Sequence, residues 1–158
     1  MRFAVAADHA GFPLKGPART TLEALGHDVA DFGGDGTDPD DDYPDFARAV
    51  GEAIREGTVE RAIVMCGSGV GASIASTKIP GVRASVCHDT WSAHQGVEHD
   101  DMNVLCLGAE VVGRELAIEL ITAFATATFS GAERHVRRLK KVHEIERYYL
   151  RSPRGGLK

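Results

Sequence analysis

The sequence predicts an α/β protein built on a five-stranded parallel sheet. Two observations carry that prediction. Short apolar or β-branched runs alternate with longer helical patterns, as in successive βαβ units. A glycine-rich turn, Cys66-Gly67-Ser68-Gly69-Val70-Gly71, joins the end of one such run to a helical pattern. The 158 residues, 43% hydrophobic and 26% charged, suit a single domain over residues 1–150 with a core of its own.

The expected strands are residues 2–7, 27–32, 61–66, 82–87 and 104–107. The first helix follows Pro13 and stops at Gly26, a glycine suited to the left-handed position beyond a helix end. The second follows Tyr43-Pro44 and sets Phe46, Ala49, Val50, Ala53 and Ile54 on one face. The third begins near Val70, the fourth runs from about Thr90 towards Val97, and the fifth carries Leu116, Leu120 and Phe124 at i, i+4 spacing. The last spans about residues 132–150, with a narrow apolar stripe of Leu139, Val142 and Ile145 between charged faces. Such a helix is expected to lie across a neighbour, here a second subunit. Residues 151–158 are expected to form a flexible tail. The acidic stretch 35–45 holds Asp38, Asp40, Asp41, Asp42 and Asp45. It reads as a solvated loop, because it lacks the ligand alternation and closing glutamate of a calcium site.

The formal net charge of −5 speaks against a general nucleic-acid or membrane-surface binder, since both need a basic footprint. It leaves room for a small anion held by a few local cations. Cys66, Cys87 and Cys106 are odd in number, widely spaced and without a C-x-x-C pair, so neither a disulfide framework nor a zinc site is expected. The first apolar run ends at Asp8 and is too short for a signal peptide. The stretch 116–129 contains Glu119 and is too short to span a bilayer. A soluble, cytoplasmic protein is expected.

Ligands of open parallel sheets sit beyond the carboxyl ends of the strands. That rule selects Asp8-His9-Ala10-Gly11, the glycine turn, Cys87-His88-Asp89 and Gly108-Ala109-Glu110. The glycine turn presents successive amides and a helix start, a favourable place for negative charge. Two functions fit it. Gly67, Gly69 and Ala72 match the loose dinucleotide pattern, with Asp89 downstream as its acidic partner, but on the third strand and not the first. Alternatively, Cys66 at the mouth of the turn is a base beside an oxyanion hole, suited to removing a proton next to a carbonyl. Cys66 is equally compatible with a plain buried strand residue, which is the expectation for Cys87 and Cys106.

Among the histidines, His9 follows a strand end and His99 precedes the fifth strand, whereas His27, His88, His94, His135 and His143 read as structural or exposed. Arg134 and Arg138 project from one face of the last helix. Their cluster is either a solvated face or a phosphate clamp.

Taken together, these residues resemble the type B ribose-5-phosphate isomerases, grouped with galactose-6-phosphate and allose-6-phosphate isomerases. The resemblance covers almost the whole chain. It rests on Asp8-His9-Ala10-Gly11 with Lys15, Asp42-Tyr43-Pro44, the glycine turn, Lys78, Asn103, and Arg134-His135 with Arg138. It implies a Rossmann-like α/β/α sandwich, no metal or organic cofactor, and a homodimer or dimer of dimers whose active sites draw on both chains. By position, Cys66 corresponds to the general base. Ser68 and the amides of Gly67, Gly69, Val70 and Gly71 correspond to the groups around the developing enediolate oxygen. The partner's His99 corresponds to the residue that opens the sugar ring. His9, Arg134 and Arg138 fall on phosphate-binding positions, and Asp8, Tyr43 and Asn103 on pocket positions. The implied reaction is aldose–ketose isomerisation of a small sugar phosphate, with ribose 5-phosphate and ribulose 5-phosphate first. Allose 6-phosphate, galactose 6-phosphate, a tetrose phosphate or an unphosphorylated sugar are the alternatives. Three departures bear on that choice: Glu110 replaces an arginine, Asp100 an asparagine, and Thr77 an asparagine. Extra acidic groups near a phosphate weaken its binding unless a cation such as Arg114 compensates.

Overall fold

A computed structural model describes residues 1–151. Residue 151 closes the last helix, and the rest of the expected tail, residues 152–158, lies outside the described residues. The chain runs β1 (Arg2–Ala7), α1 (Phe12–Ala24), β2 (Asp28–Asp31), α2 (Tyr43–Arg55), β3 (Arg61–Cys66), α3 (Val70–Ser76), β4 (Ala84–Val86), α4 (Thr90–Asp100), β5 (Val104–Gly108), α5 (Arg114–Thr126) and α6 (Glu133–Arg151). The five strands form one parallel sheet in the order β2-β1-β3-β5-β4. The outer strands β2 and β4 are shorter than expected, because each has a ladder on one side only. Val82 and Cys87 still bury their side chains beyond the ends of β4.

Alternation along the three inner strands sorts side chains by size. Phe3, Val5, Ile63, Met65, Leu105 and Leu107 face one side, where α1, α4 and α5 cover them. Ala4, Ala6, Ala62, Val64, Cys66, Val104 and Cys106 face the other, under α2 and α3. This is the two-residue period of the pleat, with both faces buried as a parallel sheet requires. On α5 the buried arc is Ala117, Leu120, Ile121, Phe124 and Ala125. Leu116, expected on that stripe, is 37% exposed. At about 100° per residue it stands at the rim of the arc.

The last helix follows a different rule. Leu139 is half-buried, but Val142 and Ile145 of the same stripe are 49% and 60% exposed. A groove of about 680 Å³ opens between α6, α4 and β4, lined by Leu139, Val142 and Ile145 on one wall and Val82 and Met102 on the other. The Gly81 N–H donates to Glu146 Oε1 at 2.8 Å and ties the helix to the loop before β4. Among the described residues no helix is long and apolar enough to cross a membrane.

Candidate active site

Cys66 is the last residue of β3, paired in register with Gly108 of β5, and 4% exposed. Beyond it the chain turns sharply at Gly69, whose φ is +79°. The Gly69 N–H donates back to Cys66 Sγ at 3.1 Å, so the turn points an amide proton at the thiol. The Ala109 N–H donates to the Cys66 carbonyl at 3.0 Å, and the Glu110 N–H to the Gly67 carbonyl at 2.9 Å. The loop after β5 thus seats the glycine turn. The seating is close: a Cβ on Gly108 would lie 2.4 Å from the Ser68 carbonyl carbon. Only glycine permits that approach.

The amides of the turn are allotted differently from the expectation. Gly69 serves the thiol, and the Val70 N–H donates to Ser68 Oγ at 3.3 Å. Gly71 lies in the first turn of α3, where a helix leaves its amides without internal partners. The Tyr43 ring packs over it, about where a Cβ would fall. The groups left able to donate to an anion are therefore the Gly71 amide and the exposed Ser68 hydroxyl, and not all of the Gly69, Val70 and Gly71 amides. Gly67 lies at the foot of the turn beside Ala10 and the Glu110 carboxyl group.

Asp8 and His9 complete this end of the sheet. Buried Asp8 accepts the Gly11 N–H at 2.8 Å, which braces the first loop. Asp41 Oδ1 accepts the His9 N–H at 2.9 Å and lies 2.7 Å from His9 Nδ1. The Asp41 side chain is 13% exposed, so the acidic stretch is not uniformly solvated as expected. The Asp41 hydrogen bond, followed by the charges of Asp41, Asp8 and Asp38, raises the His9 pKa above the ordinary histidine value. Lys15 is spent on structure, bonding the Gly33 and Gly34 carbonyls and Asp31.

The other predicted residues gather elsewhere. His99 lies in the last turn of α4 at the amino end of the sheet, five residues of β5 away from the level of Cys66. That is roughly 16 Å at about 3.3 Å per residue. There the His99 and His135 rings lie 4.0 Å apart, and Arg134 Nε donates to His135 Nε2 at 2.9 Å. His135 Nδ1 meets Ser130 Oγ at 2.6 Å. Burial, followed by the charges of His99 and Arg134, lowers the His135 pKa. Arg138 stands exposed one turn beyond Arg134. Within one chain this cluster does not reach Cys66. Asn103 is not a pocket residue of either group. Its Oδ1 accepts the Arg83 N–H at 2.8 Å and its Nδ2 donates to the Gly81 carbonyl at 2.9 Å, so both ends of the amide are consumed in holding the sheet edge.

The remaining cysteines are structural. All three are free and buried, and burial raises the pKa values of Cys87 and Cys106. Asp89, the acidic partner in the dinucleotide reading, instead caps α4 by accepting the Ser92 N–H at 2.7 Å. Arg114, the candidate counter-charge to Glu110, pairs with Glu115. Among the described residues no three His, Cys, Asp or Glu side chains converge as a metal site would require.

The Ribose/Galactose Isomerase family model matches residues 3–142. The chain belongs to the ribose/galactose isomerase family. It is 39% identical over 145 residues to ribose-5-phosphate isomerase B of Escherichia coli, covering 92% of this chain and 96% of that protein. It is also 39% identical over 131 residues to D-erythrulose-4-phosphate isomerase of Pectobacterium atrosepticum, covering 83% and 86%. Among solved structures, ribose-5-phosphate isomerase B of Clostridium thermocellum superposes with a TM-score of 0.89 at 42% identity, over 94% of this chain and 99% of that one. This ribose/galactose isomerase family member is an aldose–ketose isomerase with a Rossmann-like α/β/α fold. Residue-by-residue reading gave Gln95 no place and read Asp41 as solvated, whereas Asp41 holds His9 and Gln95 meets His99. The i, i+4 spacing of Gln95 and His99 was a usable signal for one of them.

Proposed function

We propose that the enzyme interconverts ribose 5-phosphate and ribulose 5-phosphate through an enediolate, in a site shared by two chains of a cytoplasmic homodimer. The observation that carries the reading is the Gly69 N–H aimed at Cys66 Sγ at 3.1 Å, at the carboxyl end of β3. A thiolate there removes the C2 proton of the open-chain aldose. Charge moves to the carbonyl oxygen O1, beside the Ser68 hydroxyl and the Gly71 amide. Cys66 returns its proton to C1 while the O2 proton passes to O1, which gives the ketose. His9 takes the phosphate from one side. The partner's Arg134 and the partner's Arg138 take it from the other, and the partner's His99 opens the cyclic sugar.

The geometry of one chain supports sharing, since its two groups of residues stand at opposite ends of the sheet. The exposure of Val142 and Ile145 on α6, among the described residues, supports a partner on that helix. Three free, buried cysteines suit a reducing compartment. Initial rates on ribose 5-phosphate, allose 6-phosphate, galactose 6-phosphate, erythrose 4-phosphate and free ribose test the assignment. Ribose 5-phosphate is expected to have the highest kcat/KM. A clear preference for another sugar would replace it as the substrate while leaving the isomerase chemistry in place.

A further inference from the structure

His99 sits on the last turn of α4, and its Nδ1 lies 2.9 Å from Gln95 Nε2, one turn earlier. The same Gln95 nitrogen lies 3.3 Å from Asp100 Oδ2. A carboxylate only accepts hydrogen bonds, so Asp100 dictates which end of the Gln95 amide faces the pair: the NH2 end. That group has two hydrogens. With one directed to Asp100, the other is left for His99 Nδ1, which must then be bare. A neutral imidazole carries one N–H, so the proton of His99 stands on Nε2.

Two neighbours agree with this assignment. Glu98 Oε2 lies 3.8 Å from His99 Nε2, too far for a hydrogen bond but on the side where a proton is electrostatically favoured. The His135 ring, tied by Ser130 and Arg134, packs against His99 at 4.0 Å and fixes its plane. Among the described residues Glu98 approaches Nε2, His135 stacks on the ring, Arg134 bonds His135 and Asp100 bonds Gln95, and Gln95 is the hydrogen-bond partner of Nδ1.

We propose that Gln95, oriented by Asp100, is a positioning residue that holds His99 as its Nε2–H tautomer, so that a donor and not a lone pair faces the ring oxygen of a cyclic sugar. This rests on the proposed role of the partner's His99 in ring opening. The proposal moves no proton; it fixes which atom carries one. It also gives Asp100 a task, where the family pattern has asparagine. Asparagine can donate as well as accept, so it would let the Gln95 amide turn over.

The test reads the tautomer directly. Long-range proton–nitrogen spectra of the full-length protein, with His99→Ala for assignment, should show neutral His99 with a bare Nδ1 and a protonated Nε2. Gln95→Glu should invert this, because a second acceptor beside Nδ1 draws the proton there. Asp100→Asn should give a mixture. A wild-type Nδ1–H tautomer, or no change in Gln95→Glu, overturns the proposal. Kinetics supply a second arm. Ribose 5-phosphate closes a furanose ring through O4, whereas erythrose 4-phosphate has O4 esterified and needs no ring opening. Gln95→Glu should lower kcat/KM about tenfold for the first, roughly the worth of one hydrogen bond, and leave the second unchanged. Equal losses on both would mark a merely structural role and overturn the positioning claim. If His99→Ala retains full activity on both sugars while the tautomer is as expected, the ring-opening role fails and the tautomer assignment stands.

Discussion

The carboxyl end of the sheet and its amino end are organised by different means. At the carboxyl end the main chain does the positioning. An amide points at Cys66, two amides after β5 hold the glycine turn, and Gly108 presses against Ser68. At the amino end side chains do it, through Gln95 to His99 and through Ser130 and Arg134 to His135. The first end is complete within one chain. The second hangs on the last turn of α4 and the first turns of α6, a helix whose Val142 and Ile145 stay largely exposed among the described residues. Damage should therefore differ in kind. If the proposed sharing holds, substitutions at the first end should act on the chemistry of that same chain, and substitutions at the second on a neighbour's.

The largest expected effect lies at the main-chain end. Cys66→Ala should lower kcat by roughly a hundred- to ten-thousand-fold with little change in melting temperature, as loss of a positioned acid–base group does. Near-normal turnover would move the base elsewhere. Mixing variants tests whether the two ends serve one site. Cys66→Ala and His99→Ala proteins, each nearly inactive, should regain about a quarter of wild-type activity after random subunit exchange, because half the dimers then hold one intact site of two. Verified exchange without recovery would place both residues in one chain's site.

Two smaller effects sharpen the carboxyl end. Glu110 lies against Gly67 and Ala10 and is exposed, so its repulsion of a phosphate is partly screened. Glu110→Arg should lower KM for phosphorylated sugars by about fivefold, of order 1 kcal/mol, and leave free sugars alone. Equal shifts for both would show that Glu110 does not sense the phosphate. Asp41 raises the His9 pKa, so the imidazolium persists to higher pH, and the phosphate grip proposed for it should be lost as pH rises through that value. Asp41→Asn lowers the value, and the loss then begins at lower pH. KM for ribose 5-phosphate should rise about two- to threefold at pH 7.5 and be unchanged near pH 5.5, a size typical of exposed pairs. A KM–pH curve that does not move would leave Asp41 as a loop anchor only.

How much was readable in advance follows the same division. β1 and β3 are found at their expected limits because strands buried on both faces leave continuous apolar runs. The outer strands were overdrawn, since Val82 and Cys87 are apolar for burial and not for pairing. The roles proposed for Cys66, Ser68 and the turn glycines came from local pattern together with the family resemblance. Asp41 was hidden because its partner His9 lies 32 residues away, and nothing in a run of aspartates distinguishes the one that turns inward. Asn103 misled for the same reason. Its two amide partners, Arg83 and Gly81, belong to a strand edge that only the fold brings near. His135 looked like any helix histidine until Ser130 and His99 surrounded it.

The strand order has a consequence for how the molecule comes into being. β3 and β4 are successive in the chain, yet β5 stands between them, so β4 has no sheet partner until residues 104–108 exist. The glycine turn waits on the same strand: Gly69 packs on Leu107, and the Cys66 and Gly67 carbonyls are taken up by the amides of Ala109 and Glu110. These are contacts across some forty residues, whose closure entropy must be met before they stabilise anything. During synthesis the segment carrying the thiol therefore leaves the ribosome early and acquires its shape late. The glycine turn should be among the last parts of the sheet to set.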